Sequence, residues 1–125
     1  MHPGFGSASF LSRFSVIYDF VNRKSGVNAG LVTEILIQLR KINSWFRRQR
    51  RYQFYGSSIL ISYDAMHLKS QGDLNVRVRM IDFTHAIPNA ERSMDTNYAS
   101  GLNSLILLFE AVLQMQHTIS VRMRE

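Results

Sequence analysis

Apolar side chains at 10, 14, 17, 20 and 21 keep the three-and-four spacing of one helix face, which predicts a short helix over residues 9–22. Residues 23–30 carry two glycines and an asparagine, the composition of a turn. Beyond it Leu31, Ile35, Leu39, Ile42, Trp45 and Phe46 line one face of a long helix. The pattern then changes. Residues 54–63 and 74–83 are rich in β-branched and aromatic side chains and predict two strands joined by an exposed loop over 65–73, most simply an antiparallel hairpin. A polar loop over 86–96 leads to a last helix, about 98–116, with Leu102, Leu105, Ile106, Phe109, Val112 and Leu113 facing inward. The expected class is α+β, helices packed on an antiparallel hairpin, with no internal repeat.

Composition narrows this picture. A chain of 125 residues, 46% hydrophobic and with two prolines, suits one folded domain with a moderate core. No uninterrupted apolar run is long enough to span a bilayer, so no transmembrane segment is expected. Residues 1–13 lack a basic stretch followed by an apolar one, which points away from secretion and toward a cytoplasmic or nuclear setting. The absence of cysteine removes disulfides, thiol nucleophiles and thiolate metal sites. A metal would be held by oxygen or imidazole, and Mg2+ suits such donors.

The net charge is +6, and twelve of the fifteen basic residues are arginine, whose planar fork matches phosphate oxygens. Partners are therefore expected to be polyanions. The cluster Arg47, Arg48, Arg50 and Arg51 closes the long helix, where cations complement the negative end of the dipole. It reads equally as a solvated last turn or as a wall of a phosphate pocket, with Arg47 and Arg51 as substrate contacts. It lacks the aromatic platform or groove-reading helix of a nucleic-acid module, and no nucleic acid is expected. Arg77 and Arg79 alternate with Val76, Val78 and Met80 and are assigned to the solvent face of the hairpin. Asp82 arrives where the second strand's apolar run ends. There a carboxylate either caps a turn or meets a divalent cation brought by a nucleotide.

Three ordered motifs resemble the inositol polyphosphate kinase family. Ser57-Ser58-Ile59-Leu60 is similar to its Ser-Ser-Leu-Leu strand, Ile81-Asp82-Phe83-Thr84-His85 to its Ile-Asp-Phe-Ala-His segment, and Asp95-Thr-Asn-Tyr98-Ala-Ser-Gly101-Leu102 to its Asp-x-Gly-Tyr-x-x-Gly-Leu helix start. The resemblance runs from about residue 10 to 115. It implies a distantly protein-kinase-like fold and transfer of phosphate from ATP to a phosphorylated inositol. It makes Asp82 the catalytic metal ligand, binding the Mg2+ that bridges the nucleotide phosphates. Ser57 and Ser58 fall beside the nucleotide, although strand serines also serve as cross-strand hydrogen bonders. His85 is matched to a substrate phosphate, or else to a loop hydrogen bond.

Departures from the family pattern are Asn97 for glycine and Thr84 for alanine. More consequential, the chain contains no Pro-x-x-x-Asp-x-Lys-x-Gly, the motif that supplies the family's substrate-side aspartate and lysine. Residues 1–125 are accordingly expected to be a single domain, the C-terminal catalytic portion of such a kinase without its N-terminal lobe. Alone it should be a poor kinase or an inactive binder of inositol phosphates or proteins. Within the resemblance, the histidine after Ile-Asp-Phe-Thr speaks for a hexakisphosphate kinase or multikinase over a trisphosphate 3-kinase, and the short 63–65 connection leans toward a hexakisphosphate kinase, with a multikinase next.

Overall fold

In the computed structural model the chain is described over residues 8–22, 28–54, 57–65, 74–81 and 86–124. Helix α1 spans Ala8–Asn22 and α2 spans Ala29–Arg48; strands β1 (Tyr52–Phe54), β2 (Ser58–Ser62), β3 (Arg77–Ile81) and β4 (Ala86–Pro88) follow, and α3 spans Thr96–Arg124. The class is α+β, as the sequence patterns predict.

Helix α2 begins at Asn28, whose extended backbone leaves its side-chain oxygen free to accept from the Leu31 amide at 3.0 Å. Its buried stripe is Leu31, Val32, Ile35, Leu36, Leu39 and Phe46. Trp45 departs from the expected face and is 46% exposed, because neighbours in a helix point about 100° apart and Phe46 takes the core position. Leu102, Ile106, Phe109 and Val112 of α3 complete the core against α2, while Leu105 and Leu113 are half-buried at its margin. Helix α1 contributes the fully buried Val21, and Phe20 packs edge-on against Tyr63 at 5.2 Å.

The expected single hairpin resolves into two short antiparallel ladders. In one, Ser58 pairs with Ile81 and Ser62 with Arg77; in the other, Phe54 pairs with Ala86 and Tyr52 with Pro88. Residues 55–57 separate the ladders on one chain and 82–85 on the other, so the second carries one residue more. The first predicted strand is thus two strands, and β4 lies inside the stretch expected to be loop. Along β2 and β3, Ile59, Ile61, Val78 and Met80 turn toward the core, while Ser58, Leu60, Ser62, Arg77, Arg79 and Ile81 turn outward. Arg77 and Arg79 are exposed, as expected.

Two glutamines fix the ribbon to α2. Gln38 Nε2 donates to the Val76 carbonyl at 2.9 Å and its Oε1 accepts from the Val78 amide at 2.9 Å, occupying backbone groups that β3 does not spend on β2. Gln49, at the C-cap of α2, accepts from the amides of Arg51 and Tyr52 and donates to the Tyr52 carbonyl at 2.8 Å, which turns the chain from helix into β1. The ion pair between Arg40 and Glu110 on the α2–α3 seam is exposed and contributes little.

Helix α3 outruns its expected end by a turn or more. Contrary to expectation, its Tyr98–Ile119 stretch is long and apolar enough, by length and composition alone, to cross a membrane. The sequence reading required an unbroken apolar run, whereas this window tolerates Asn103, Ser104 and Glu110. In the fold, Leu102, Ile106, Phe109 and Val112 of this stretch face the core, while Leu107 and Ile119 are exposed.

Phe46 is fully buried at the junction of α2, β1 and α3, so Phe46→Ala should cost roughly 3–5 kcal/mol. Urea unfolding of both proteins measures this; a loss below about 1 kcal/mol would contradict the assigned core.

Candidate nucleotide-site scaffold

The region between the two ladders is built on Asp95. This carboxylate is 5% exposed and accepts two backbone hydrogen bonds, from the Phe54 amide to Oδ2 at 2.7 Å and from the Tyr98 amide to Oδ1 at 3.2 Å. The second bond is an N-cap on α3, completed by the Ala99 amide donating to the Asp95 carbonyl at 3.0 Å. The first reaches across to the end of β1. One side chain therefore sets where the last helix starts and where β1 stops.

Tyr98, one turn into α3, stacks on Phe46 with ring centroids 4.1 Å apart and planes 10° from parallel. Phe54 closes against both rings at 5.1 and 6.1 Å. This aromatic block carries the Tyr98 hydroxyl toward Ser57, the residue just before β2. Burial pushes the Tyr98 pKa up, the neighbouring Ser57 hydroxyl pulls it back in part, and the Asp95 carboxylate adds to the rise. The Ser57 and Tyr98 oxygens are both buried, yet neither aligns into a formed hydrogen bond. Ser57 acts on Tyr98 as a nearby dipole. Two such hydroxyls in one place are unusual in a packed interior.

Ser58 is exposed and sits opposite Ile81, the last residue of β3. Asp82 follows Ile81 directly in sequence, so the residue before it faces Ser58. Asp82 and His85 themselves lie outside the described residues. Arg47 and Arg51 are exposed, but Arg51 precedes Phe54 by three residues, about 10 Å along β1 and away from the gap between the ladders. The strand therefore does not bring Arg51 to Ser57. Within the same cluster, Arg48 donates to the Ser44 carbonyl and Arg50 to the carbonyls of Arg47 and Gln49, so those two cap the end of α2. Sequence reasoning assigned no part to Gln38, Gln49 or the Asp95 carboxylate. Only Asp95 left a local trace, an acid three residues before Tyr98 at a helix start.

Comparison with known proteins agrees with the motifs. The family model for inositol polyphosphate kinase matches residues 11–110. An inositol polyphosphate multikinase of Oryza sativa subsp. indica is 40% identical over 76 residues, covering 58% of this chain and 25% of that protein. Inositol hexakisphosphate kinase 3 of Homo sapiens is 31% identical over 123 residues, covering 77% of this chain and 30% of that protein. A solved structure of inositol phosphate multikinase superposes with a TM-score of 0.53 at 30% identity, over 62% of this chain and 33% of that one. This chain belongs to the inositol polyphosphate kinase family. It spans about a quarter to a third of the length of the curated relatives it matches.

Asp95→Ala should lose about 1–2 kcal/mol for the cap and about 1–3 kcal/mol for the Phe54 amide left unbonded, with Asp95→Asn intermediate. Thermal unfolding at neutral pH gives the ranking, and equal stability of all three proteins would contradict the clamp.

Because the folded Tyr98 holds its proton above the ordinary tyrosine value near 10, its contribution is intact below that value and is lost as pH climbs through the raised one. Tyr98→Phe should therefore flatten the alkaline limb of the stability profile. The difference ultraviolet titration of the two proteins should show one phenol ionising later than an ordinary tyrosine. A missing phenol that titrates with the exposed ones would contradict the burial.

Proposed function

We propose that this chain forms the metal- and nucleotide-facing part of an enzyme that transfers the γ-phosphate of ATP to a phosphorylated inositol. The observation supporting this reading is the register of β2 on β3. It sets Ser58, which Ser57 precedes, across from the residue before Asp82, in a chain matched to the family model over residues 11–110. Phosphoryl transfer asks a protein chiefly for positioning and charge neutralisation, and both are served by a carboxylate and hydroxyls at the end of a clamped ribbon.

In this reading Asp82 is the catalytic carboxylate and would hold Mg2+, with Ser57 and Ser58 beside the nucleotide, Ser58 through its exposed hydroxyl and Ser57, whose hydroxyl is buried near Tyr98, through its place in the chain. The donor chemistry fits: carboxylate and hydroxyl are hard oxygens, and Mg2+ needs only one or two carboxylates when phosphates and water fill its remaining positions. Among the described residues no group of three or more acidic or imidazole side chains forms a cage. The bound ion would neutralise charge on the transferring phosphate. The chain's own contribution is to hold the strand end still, through Gln38 on β3 and Asp95 on β1. His85 is proposed as a contact to a substrate phosphate. Arg47 and Arg51 are proposed as outer contacts for a substrate extending along the ribbon.

Residues 1–125 are proposed as the C-terminal catalytic portion, with the Pro-x-x-x-Asp-x-Lys-x-Gly element and the ATP-clamping lobe belonging to the remainder of a longer kinase. A cytoplasmic or nuclear setting belongs to the same proposal. The long alignment with the human hexakisphosphate kinase supports that member as the model for the substrate, and the higher identity over a shorter stretch of the rice multikinase supports the alternative. The missing motif favours one further reading, an inositol-phosphate binder without turnover.

Replacing the matching segment of the rice multikinase with residues 11–110 provides the test. The chimaera should phosphorylate inositol polyphosphates, and Asp82→Asn in it should lower kcat by about 10²–10³-fold without lowering Tm. Retained turnover in the Asn variant would reject Asp82 as metal ligand. A folded but inactive chimaera that binds inositol hexakisphosphate saturably would support the binder instead.

A further inference from the structure

Arg77 and Arg79 were assigned no part in transfer, yet the fold gathers them with Lys41 around an open groove of about 540 Å3 between α2 and β3. All three are exposed, and none forms an ion pair with a carboxylate among the described residues. Arg77 Nε is oriented by Asn75 Oδ1 at 3.3 Å, and Asn75 holds a left-handed backbone with φ 49° at the start of the strand. Glu34, the carboxylate in the groove, accepts from Gln38 Nε2 at 3.1 Å. The same glutamine bonds the backbone of β3 on both sides of Arg77, so the two walls cannot drift apart without breaking two hydrogen bonds.

We infer that this groove binds an anion carrying at least two phosphate groups, at a site separate from the proposed transfer site. Side chains two apart on a strand lie about 7 Å from one another on the same face, so Arg77 and Arg79 present two guanidinium forks side by side with Lys41 opposite. Three like charges around one groove repel each other, and a multivalent anion relieves that repulsion while accepting charge-assisted hydrogen bonds. Arg77 and Arg79 stand five and three residues before Asp82, about 16 and 10 Å along an extended strand, so one phosphate held between Arg77 and Lys41 does not also meet Asp82. A soluble polyphosphate ester and a phosphorylated lipid headgroup share this chemistry, and the inference does not depend on catalysis.

Calorimetric titration of the 125-residue chain with inorganic tripolyphosphate tests it. Saturable binding that weakens as salt is raised is expected. Lys41→Ala/Arg77→Ala/Arg79→Ala should weaken it at least about tenfold, while Arg13→Ala/Arg122→Ala, which removes exposed positive charge outside both sites, leaves it within about twofold. If the triple variant fails to fold, the single substitutions Lys41→Gln and Arg77→Gln carry the comparison. A second arm uses phosphatidylcholine vesicles doped with phosphatidylinositol bisphosphate. Retention on these that tripolyphosphate competes away supports a headgroup site, and binding of soluble probe alone supports a soluble ligand. No saturable binding in either arm, or binding lost with Arg47 and Arg51 but kept in the groove variants, would overturn the inference. Repeated with Mg2+, loss on Asp82→Asn would assign the binding to the transfer site and overturn the inference.

Discussion

The buried carboxylate of Asp95 is the constraint on which the site's architecture depends. An acid that is 5% exposed is costly unless its oxygens are occupied, and here each takes a backbone amide from a different element. The helix layer and the ribbon are thereby fixed to one point. Tyr98 follows one turn later, so the cap that starts α3 also fixes the ring that covers Phe46 and the hydroxyl that lies near Ser57.

A second device acts on the other ladder. Gln38 projects from the best-packed helix and fills the hydrogen-bonding positions of β3 that β2 leaves open, which both locates the strand and blunts its free edge. In sequence the ladders are separated by residues 55–57 between β1 and β2 and by 82–85 between β3 and β4. Each ladder is tied to the helices by its own side chain. A catalytic carboxylate in the short segment between them would inherit its position from both, which is how a small domain holds one group accurately without a large core around it.

Much of the fold was legible because its helices are amphipathic: the stripes of Leu31, Ile35 and Leu39, and of Leu102, Ile106 and Phe109, declare both the helices and the faces they bury. The hairpin was legible from its alternation, but its division was not, since Phe54 to Tyr63 reads as one β-rich run. Strand β4 is three residues ending in proline, a pattern that argues against a strand unless a partner such as β1 holds it. Trp45 misled because apolarity was read without the helical angle between adjacent residues. At the site, the Ser57–Ser58 pair stood out as a motif. The Gln38 and Asp95 contacts to the ribbon join residues about forty positions apart and leave no local pattern for a sequence to show.

The most direct test of the metal- and nucleotide-facing end is paramagnetic. With the chain labelled in 15N, Mn2+ with ATP should broaden the amide resonances of Ser57, Ser58 and Ile81 first, and Asp82→Asn should abolish that broadening. Broadening centred on another part of the fold, or unchanged in the Asn variant, would contradict the account.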